Sequence, residues 1–297
     1  MHSLFPLIKK TKKEEKKVDS IFIEKPQITA IVQFFNKRPY LKTLIDRLHN
    51  LPIDEIIIID DGSEDGSIDD MVALLKRKND FIIRANDLYE VRMYDRAISM
   101  ARGEFVVLLQ DDDLPPKDVK WIRDAISLFQ NDPKLLILGG RDGLIIDIPD
   151  TVEKHIDTNY SVKGDFAGRP GVNKYQLIRT PRFNVSNIPF EYVMAINRAP
   201  MWIKRKCFME KIGIDQVFAP FQCDDVDSCI KAWINGYHVG LYSANFTHMG
   251  KSGMQIFNKN KISKQAGKNW KIIYERYGDI IQNQTLHNKV KSLNNAL

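Results

Sequence analysis

The sequence has little of what marks a membrane-spanning or disulfide-stabilised protein. No apolar run approaches the ~20 residues that a bilayer-spanning helix needs, and the N-terminus lacks the apolar core of a signal peptide. There are only three cysteines, an odd number without CxxC spacing: Cys207, Cys223 and Cys229. These absences argue against a disulfide framework and predict reduced thiols in a cytoplasmic protein without a transmembrane segment.

A large excess of one charge is also lacking. The 297 residues carry a formal net charge of +6, which fits an anionic ligand and does not by itself indicate nucleic acid, so we expect no nucleic-acid partner. The most uneven stretch is "KKTKKEEKK", within a lysine-rich segment that is predicted to be a disordered tail over residues 1–20. This tail would either make a peripheral contact with an anionic membrane or serve only solubility.

What the sequence does contain is a regular alternation of strand and helix patterns in its first half. Helical patterns separate predicted strands at Ile28–Phe35, Glu55–Asp60, Phe81–Arg84, Glu104–Gln110 and Leu135–Gly139. The alternation is typical of an α/β fold with a doubly wound, mostly parallel sheet flanked by helices.

The pattern changes after about residue 141. Residues 141–199 are polar and punctuated by glycine and proline, and so long a segment without periodicity usually builds a binding surface. Periodicity returns in a helical pattern at Asp225–Trp233, a strand pattern at His238–Ser243 and a helical pattern near Ser263–Tyr277. We predict one domain over residues 21–280 and a polar C-terminal tail over residues 281–297.

Acidic residues follow two of the predicted strands directly. "EIIIIDDGSEDGS" places Asp60 and Asp61 after four isoleucines, and "VVLLQDDD" places Asp111, Asp112 and Asp113 after another apolar run. Parallel strands share the edge at which open α/β sheets bind ligands. Side chains two apart on an extended segment point the same way, so Asp111 and Asp113 would converge on a divalent cation. The alternative is a solvated acidic turn.

These elements, in this order, resemble the family 2 glycosyltransferases of the GT-A fold. "ITAIVQFFNKRPYLKTLIDRL" resembles the family's opening strand, "IIIIDDGSEDGS" its D-D-G-S element, and "ISMARGEFVVLLQDDD" the approach to its D-x-D metal motif. "CDDVDSCIKAWINGYHVGLY" resembles its E-D-x-D acceptor helix, and a later histidine falls in "NFTHMG". The resemblance implies a donor-binding half at about residues 27–140 and an irregular acceptor-binding half at about residues 141–255.

The resemblance also implies roles for single residues. Asp113 and His248 would hold Mn²⁺ or Mg²⁺, and Asp225 would be the general base. The residues implied in nucleotide binding are Gln33, Asp61, Arg92, Asp111 and Asp112. The residues implied at the acceptor are Asp224 and Asp227. Separately from the resemblance, the Trp202 ring is a candidate to stack on an acceptor sugar, with core packing as the alternative.

Two positions depart from the family pattern. Tyr94-Asp95 stands where the family commonly has Arg-Asn, and Asp224 stands where it has Glu. Because Asp224 and Asp227 are three positions apart, they would share one helix face and raise the pKa of the base. The basic loop "MGKSGMQIFNKNK" after His248 is expected to close over the diphosphate.

The implied activity is inverting transfer of a sugar from a nucleoside-diphosphate sugar, with a UDP-sugar favoured, to a hydroxyl of a glycan or glycoconjugate. One alternative is a non-catalytic module that binds nucleotide sugars or glycans. The other is a sugar-nucleotide nucleotidyltransferase, which needs a glycine-rich loop after the first strand, whereas "QFFNKRPY" contains no glycine.

Overall fold

The computed structural model describes residues 27–147, 160–162, 173–177, 183–249 and 259–297. The lysine-rich tail predicted over residues 1–20 lies outside these ranges. Most of the loop predicted to close over the diphosphate lies outside them as well, as does part of the segment between residues 141 and 199.

The first half of the chain alternates strand and helix, as its pattern predicts. In chain order the elements are β1 (Ile28–Phe34), α1 (Arg38–His49), β2 (Glu55–Asp60), α2 (Ser67–Leu74), β3 (Phe81–Arg84), α3 (Tyr89–Met100) and β4 (Phe105–Gln110). The strands pair in parallel in the order β4, β1, β2, β3. The residues of β2 and almost all of β4 are buried, as expected for strands that helices cover on both faces.

The second half adds strands to the same sheet. Its elements are β5 (Asp113–Leu114), α4 (Lys120–Asn131), β6 (Leu135–Gly139), β7 (Asp142–Asp147), β8 (Tyr160–Val162), β9 (Asn173–Leu177), β10 (Phe183–Val185), β11 (Ile188–Tyr192), β12 (Ala195–Asn197), β13 (Met201–Lys204), α5 (Arg205–Lys211), α6 (Asp224–Ile234), β14 (His238–Tyr242), β15 (Thr247–His248), α7 (Lys259–Gln282) and α8 (Thr285–Asn294). The nine-stranded sheet has the order β10-β11-β14-β6-β13-β4-β1-β2-β3. It is mostly parallel and flanked by helices, which confirms the predicted fold class.

The segment that the sequence predicts to be irregular contains short strands. Strands β7, β8, β9 and β12 form a second, four-stranded antiparallel sheet with the order β12-β7-β9-β8. These strands are three to six residues long. A strand that short contains too few alternations for a period of two to stand out from a loop.

The C-terminus is the second difference from the sequence prediction. Residues 281–297 are not a polar tail, since they include the end of α7 and the whole of α8. Leu286 and Val290 are buried, and the Asn294 side chain exchanges hydrogen bonds with the backbone of Tyr192 at 2.7 and 2.9 Å. One apolar side chain per turn was enough to dock a helix that is polar in composition.

Trp202 belongs to the core, so its expected role in acceptor binding is wrong. It lies on β13, which is inserted antiparallel between β4 and β6, and its side chain is fully buried. The indole N–H donates to the Tyr242 hydroxyl at 3.0 Å, and the ring packs against Trp121. The Trp202 side chain is therefore not available to a carbohydrate at the surface.

Two sequence expectations concern membranes and disulfides. Among the described helices, of which α7 is the longest at 24 residues, none combines the length and apolar character needed to cross a bilayer. The three cysteines all lie in described parts of the chain and form no disulfide there.

Candidate active site

The acidic residues lie where the carboxyl ends of neighbouring parallel strands meet. Strand β4 ends at Gln110, which lies opposite Gln33 of β1 in the sheet register. After a turn at residues 111–112 the chain forms β5, and β5 pairs antiparallel with β15. This pairing sets His248 directly opposite Asp113, although 135 positions separate them in sequence.

Asp112, Asp113 and His248 form a group with the geometry of a metal site. Each offers one ligand atom, and these atoms lie within 4.8 Å of one another. Asp112 Oδ1 and Asp113 Oδ2 are buried and have no hydrogen-bond partner in the described part of the chain. Buried carboxylate oxygens left without a donor are costly unless a cation satisfies them, so this donor set fits a divalent ion.

Asp111 takes a different position from the one the sequence suggests. The turn at residues 111–112 interrupts the extended backbone, so the structure groups Asp112, instead of Asp111, with Asp113 and His248. The backbone N–H of Phe35 donates to Asp111 Oδ2 at 2.9 Å, which ties the end of β1 to the turn. Burial, reinforced by the neighbouring carboxylates, raises the pKa of Asp111 to about 7.

Arg141 is a cation of this site that the sequence analysis missed. It follows β6 and therefore reaches the same edge of the sheet. Its Nη1 donates to Asp113 Oδ1 at 2.8 Å and its Nε to Asp142 Oδ2 at 3.3 Å. Burial raises the pKa of Asp113, and Arg141 opposes this rise. The signal was present in "LGGRDG", a basic residue two positions after a predicted strand.

Asp61 lies at the end of β2 and fixes the start of α3. Its Oδ1 accepts the backbone N–H of Leu88 and its Oδ2 that of Tyr89, each at 3.0 Å. Burial is the largest cause of the raised pKa of Asp61, and these two hydrogen bonds work against it. The next residue, Gly62, has φ +89°, a left-handed conformation that suits glycine in the tight turn. Each carboxylate oxygen of Asp61 keeps accepting capacity toward a ligand.

The acids of the segment that resembles the E-D-x-D helix lie at the start of α6. Asp225 is partly exposed, and two backbone N–H groups hold its carboxylate: Arg198 donates to Oδ2 at 3.1 Å and Val226 to Oδ1 at 2.8 Å. Asp224 is buried against the Arg198 guanidinium. Burial raises the pKa of Asp224, and Arg198 opposes this effect.

Arg92 is exposed on α3, and its role in nucleotide binding stays a prediction. The buried cation between α3 and α6 is Arg198, which the sequence analysis missed. Two other expectations about this region need correction. Asp227 is buried and accepts the Tyr277 hydroxyl at 2.6 Å, so it joins α6 to α7 and is not open to an acceptor. Asp224 is also covered, because its carboxylate faces Arg198. The two acids therefore have separate cationic partners instead of crowding one face.

Comparison with solved structures shows the fold. Staphylococcus aureus TarS in complex with UDP aligns with a TM-score of 0.50 and 15% identity, over 75% of this chain and 59% of that chain. GalNAc-T7 with UDP, GalNAc and Mn²⁺ aligns with a TM-score of 0.57 and 14% identity, over 73% of this chain and 42% of that chain. The chain therefore spans less than two thirds of either structure.

Comparison of sequences shows the family. The putative glycosyltransferase EpsH of Bacillus subtilis (strain 168) is 33% identical over 94 residues, which are 31% of this chain and 27% of that protein. The profile described as "Glycosyl transferase family 2" matches residues 29–189, more than half of the chain. The resemblance of the motifs is thereby confirmed: the chain belongs to glycosyl transferase family 2.

Proposed function

We propose that this protein is a metal-dependent, inverting glycosyltransferase that uses a nucleoside-diphosphate sugar and a hydroxyl of a glycan or glycoconjugate. One observation carries the proposal: a cation-fitting group of Asp112, Asp113 and His248 lies beyond the end of β4, and hydrogen bonds through Arg198 and Glu90 connect that strand end to the partly exposed Asp225. Membership of family 2 and the UDP and Mn²⁺ named for structures of the same fold support it.

The donor set indicates which ion would be held. Asp112 and Asp113 supply carboxylate oxygens, which suit Mg²⁺ and Mn²⁺, whereas the His248 nitrogen favours a transition ion over Mg²⁺. We therefore propose Mn²⁺. When bound, the ion stabilises the negative charge that grows on the departing diphosphate.

The nucleoside end of the donor would bind beside Asp61. A carboxylate accepts hydrogen bonds, so Asp61 selects a base that offers a ring N–H. Uracil, thymine and guanine have one, whereas cytosine has an acceptor at the corresponding position. The polar Gln33 side chain on the adjacent strand β1 is partly exposed and available for the same base. A UDP-sugar is the donor we favour.

Asp225 would remove the proton of the acceptor hydroxyl. In one step the hydroxyl oxygen bonds to the anomeric carbon, its proton passes to Asp225, and the bond from that carbon to the phosphate oxygen breaks with its electron pair. A single displacement inverts the configuration at the anomeric carbon. The two N–H donors to Asp225 set the direction from which its carboxylate receives the proton.

A thermal-unfolding series with UDP, GDP, TDP and CMP, each with Mn²⁺ or with EDTA, tests the donor and metal assignments. At a ligand concentration 100 times Kd, binding adds about 2.7 kcal/mol of stability, which raises Tm by a few degrees. We expect this rise with UDP and Mn²⁺, and its loss with EDTA. Asp113→Ala should also lose it, whereas Asp118→Ala should keep it because that carboxylate is exposed in the loop before α4.

Turnover separates an enzyme from a binding module. The protein is incubated with Mn²⁺ and UDP-glucose, UDP-galactose or their N-acetyl forms, and released UDP is measured with water as the acceptor. Release that Asp225→Asn abolishes supports the transferase. UDP binding without release from any of these donors would favour the non-catalytic module. Absence of a Tm rise with all four nucleotides would refute the assignment of this edge to nucleotide binding.

A further inference from the structure

Arg198 connects the starts of two helices at the site. It lies between β12 and β13, and its side chain is only 2% exposed. Glu90 is in the first turn of α3, while Asp224 and Asp225 are in the first turn of α6. One buried guanidinium therefore faces carboxylates from two separate helices.

The contacts of Arg198 need the shape of a guanidinium. Nη1 donates to Glu90 Oε1 at 2.8 Å, Nη2 donates to Asp224, and the group stacks on the Tyr94 ring, 4.3 Å from its centroid. A lysine carries the same charge but has neither a planar face nor a fork that spans two carboxylates. Burial raises the pKa of Glu90 to about 7, and the charge of Arg198 works against this rise.

The same residue also holds the carboxylate proposed as the base. The backbone N–H of Arg198 donates to Asp225 Oδ2 at 3.1 Å, while its side chain holds the adjacent Asp224. Anchoring of the guanidinium thus fixes the position of the backbone N–H that orients Asp225. A shift of the side chain would move both contacts together.

The other end of this network reaches the donor side of the sheet. Glu90 Oε1 also accepts from Gln110 Nε2 at 3.3 Å, and the Tyr94 hydroxyl donates to the Leu109 carbonyl at 2.6 Å. Leu109 and Gln110 are the last two residues of β4, directly before the three aspartates. Since Asp61 fixes the beginning of α3, one residue before Glu90, the contacts run from the nucleotide side to α6.

We propose that Arg198 is a positioning residue for sugar transfer, which fixes Asp225 relative to the donor end of the sheet without itself touching the substrate. This inference rests on the proposed function and adds a residue to the machinery of that site. It predicts that changes at Arg198 slow the chemical step and leave donor binding in place.

The test compares Arg198→Lys with wild type in Mn²⁺-dependent UDP binding and in UDP release. Misplacing a catalytic group by about 1 Å costs roughly 100-fold in rate, so we expect kcat to fall by about that factor. The Kd for UDP and the KM for the donor should stay within about twofold. Arg205→Lys is the matched control, since Arg205 is partly buried at the other end of β13 and donates Nε to the Ile98 carbonyl at 3.1 Å.

Chemical rescue separates positioning from general damage to the fold. Removal of the side chain in Arg198→Ala leaves a space lined by Glu90, Asp224 and the Tyr94 ring, which guanidinium ion at millimolar concentration can enter. We expect guanidinium to raise kcat of this variant several-fold, urea to have no effect, and Asp225→Asn not to respond to either.

Each outcome has a distinct meaning. Wild-type kcat in Arg198→Lys would overturn the inference, as would a parallel loss of UDP binding and turnover, which indicates a purely structural role. Failure of guanidinium to rescue a folded Arg198→Ala would also count against it. The proposed function is tested separately on the wild-type protein. If the wild type releases UDP from none of the donors, the proposed function is refuted before any variant is tested.

Discussion

Replacing Asp111 with asparagine should stabilise this protein when no divalent ion is bound. The carboxylate lies in the turn after β4 beside two further aspartates, and it is almost fully buried. Burial is the main cause that raises its pKa from 3.8 to about 7, and the neighbouring carboxylates add to it. In the folded protein the neutral form is therefore favoured over the charged one.

The sign and size of the effect follow from the linkage of protonation and folding. The pKa of Asp111 in the folded state lies above the unfolded value. Its favourable contribution to the free energy of unfolding is therefore complete below pH ~4 and is lost as the pH rises to about 7. The difference between the two values, at ~1.4 kcal/mol per pH unit, corresponds to at most about 4 kcal/mol at pH 8. Asparagine resembles the neutral acid, and its amide oxygen can still accept the Phe35 N–H.

Urea unfolding in EDTA at pH 4, 6 and 8 measures this difference. We expect Asp111→Asn to match wild type near pH 4 and to exceed its free energy of unfolding increasingly toward pH 8. Glu104→Gln is the control, since it removes an exposed carboxylate just before the other end of β4 and should give no pH-dependent difference. An Asp111→Asn protein that is less stable than wild type at pH 8, or equally shifted at pH 4 and pH 8, would refute the reasoning.

Three further outcomes are expected. His248→Ala should weaken Mn²⁺ binding at least tenfold, and the fold should persist because the His248 side chain is 45% exposed. Calorimetric titration with Mn²⁺ measures the affinity, and an unchanged affinity would exclude His248 as a ligand. Asp225→Asn should lower kcat by roughly 10²–10⁴ with UDP affinity unchanged, and a fall in affinity of the same size would contradict a role as base. Asp227→Ala should cost about 1–3 kcal/mol in urea unfolding, because it leaves the Tyr277 hydroxyl without its acceptor, while Lys231 and Arg276 keep Asp215 as a partner. A stable variant with a raised acceptor KM would restore the acceptor role.

Helix α7 supports the candidate site from outside the segment matched by the family profile. Asn269 of α7 is buried, and its amide nitrogen lies 2.8 to 2.9 Å from the carbonyls of Phe218, Phe221 and Gln222. These carbonyls belong to the turn that precedes α6, so α7 supports the backbone from which Asp225 projects. Helix α7, which is mostly polar in sequence, therefore has a buried residue that holds the turn before α6.

The sequence by itself determined the strands of the first half and the acids at their ends. Runs such as "EIIIID" and "FVVLLQ" are apolar on both faces, which is a local property that any covered parallel strand requires. Because parallel strands end at one edge, the position of Asp61 and Asp113 at that edge followed from the pattern alone. Family resemblance then supplied Asp225 and His248, which the pattern could not rank above other polar residues.

Only the tertiary structure decided which of these side chains meet. Because of the turn at residues 111–112, Asp112 takes the place in the metal group that the sequence pattern predicted for Asp111. The insertion of β13 between β4 and β6 buries Trp202. Arg198 bridges Glu90 and Asp224 across 108 and 26 positions of sequence. The local pattern predicts which face of each segment is buried, whereas a pairing of distant charges depends on strand order and on burial, which makes an unpaired charge costly.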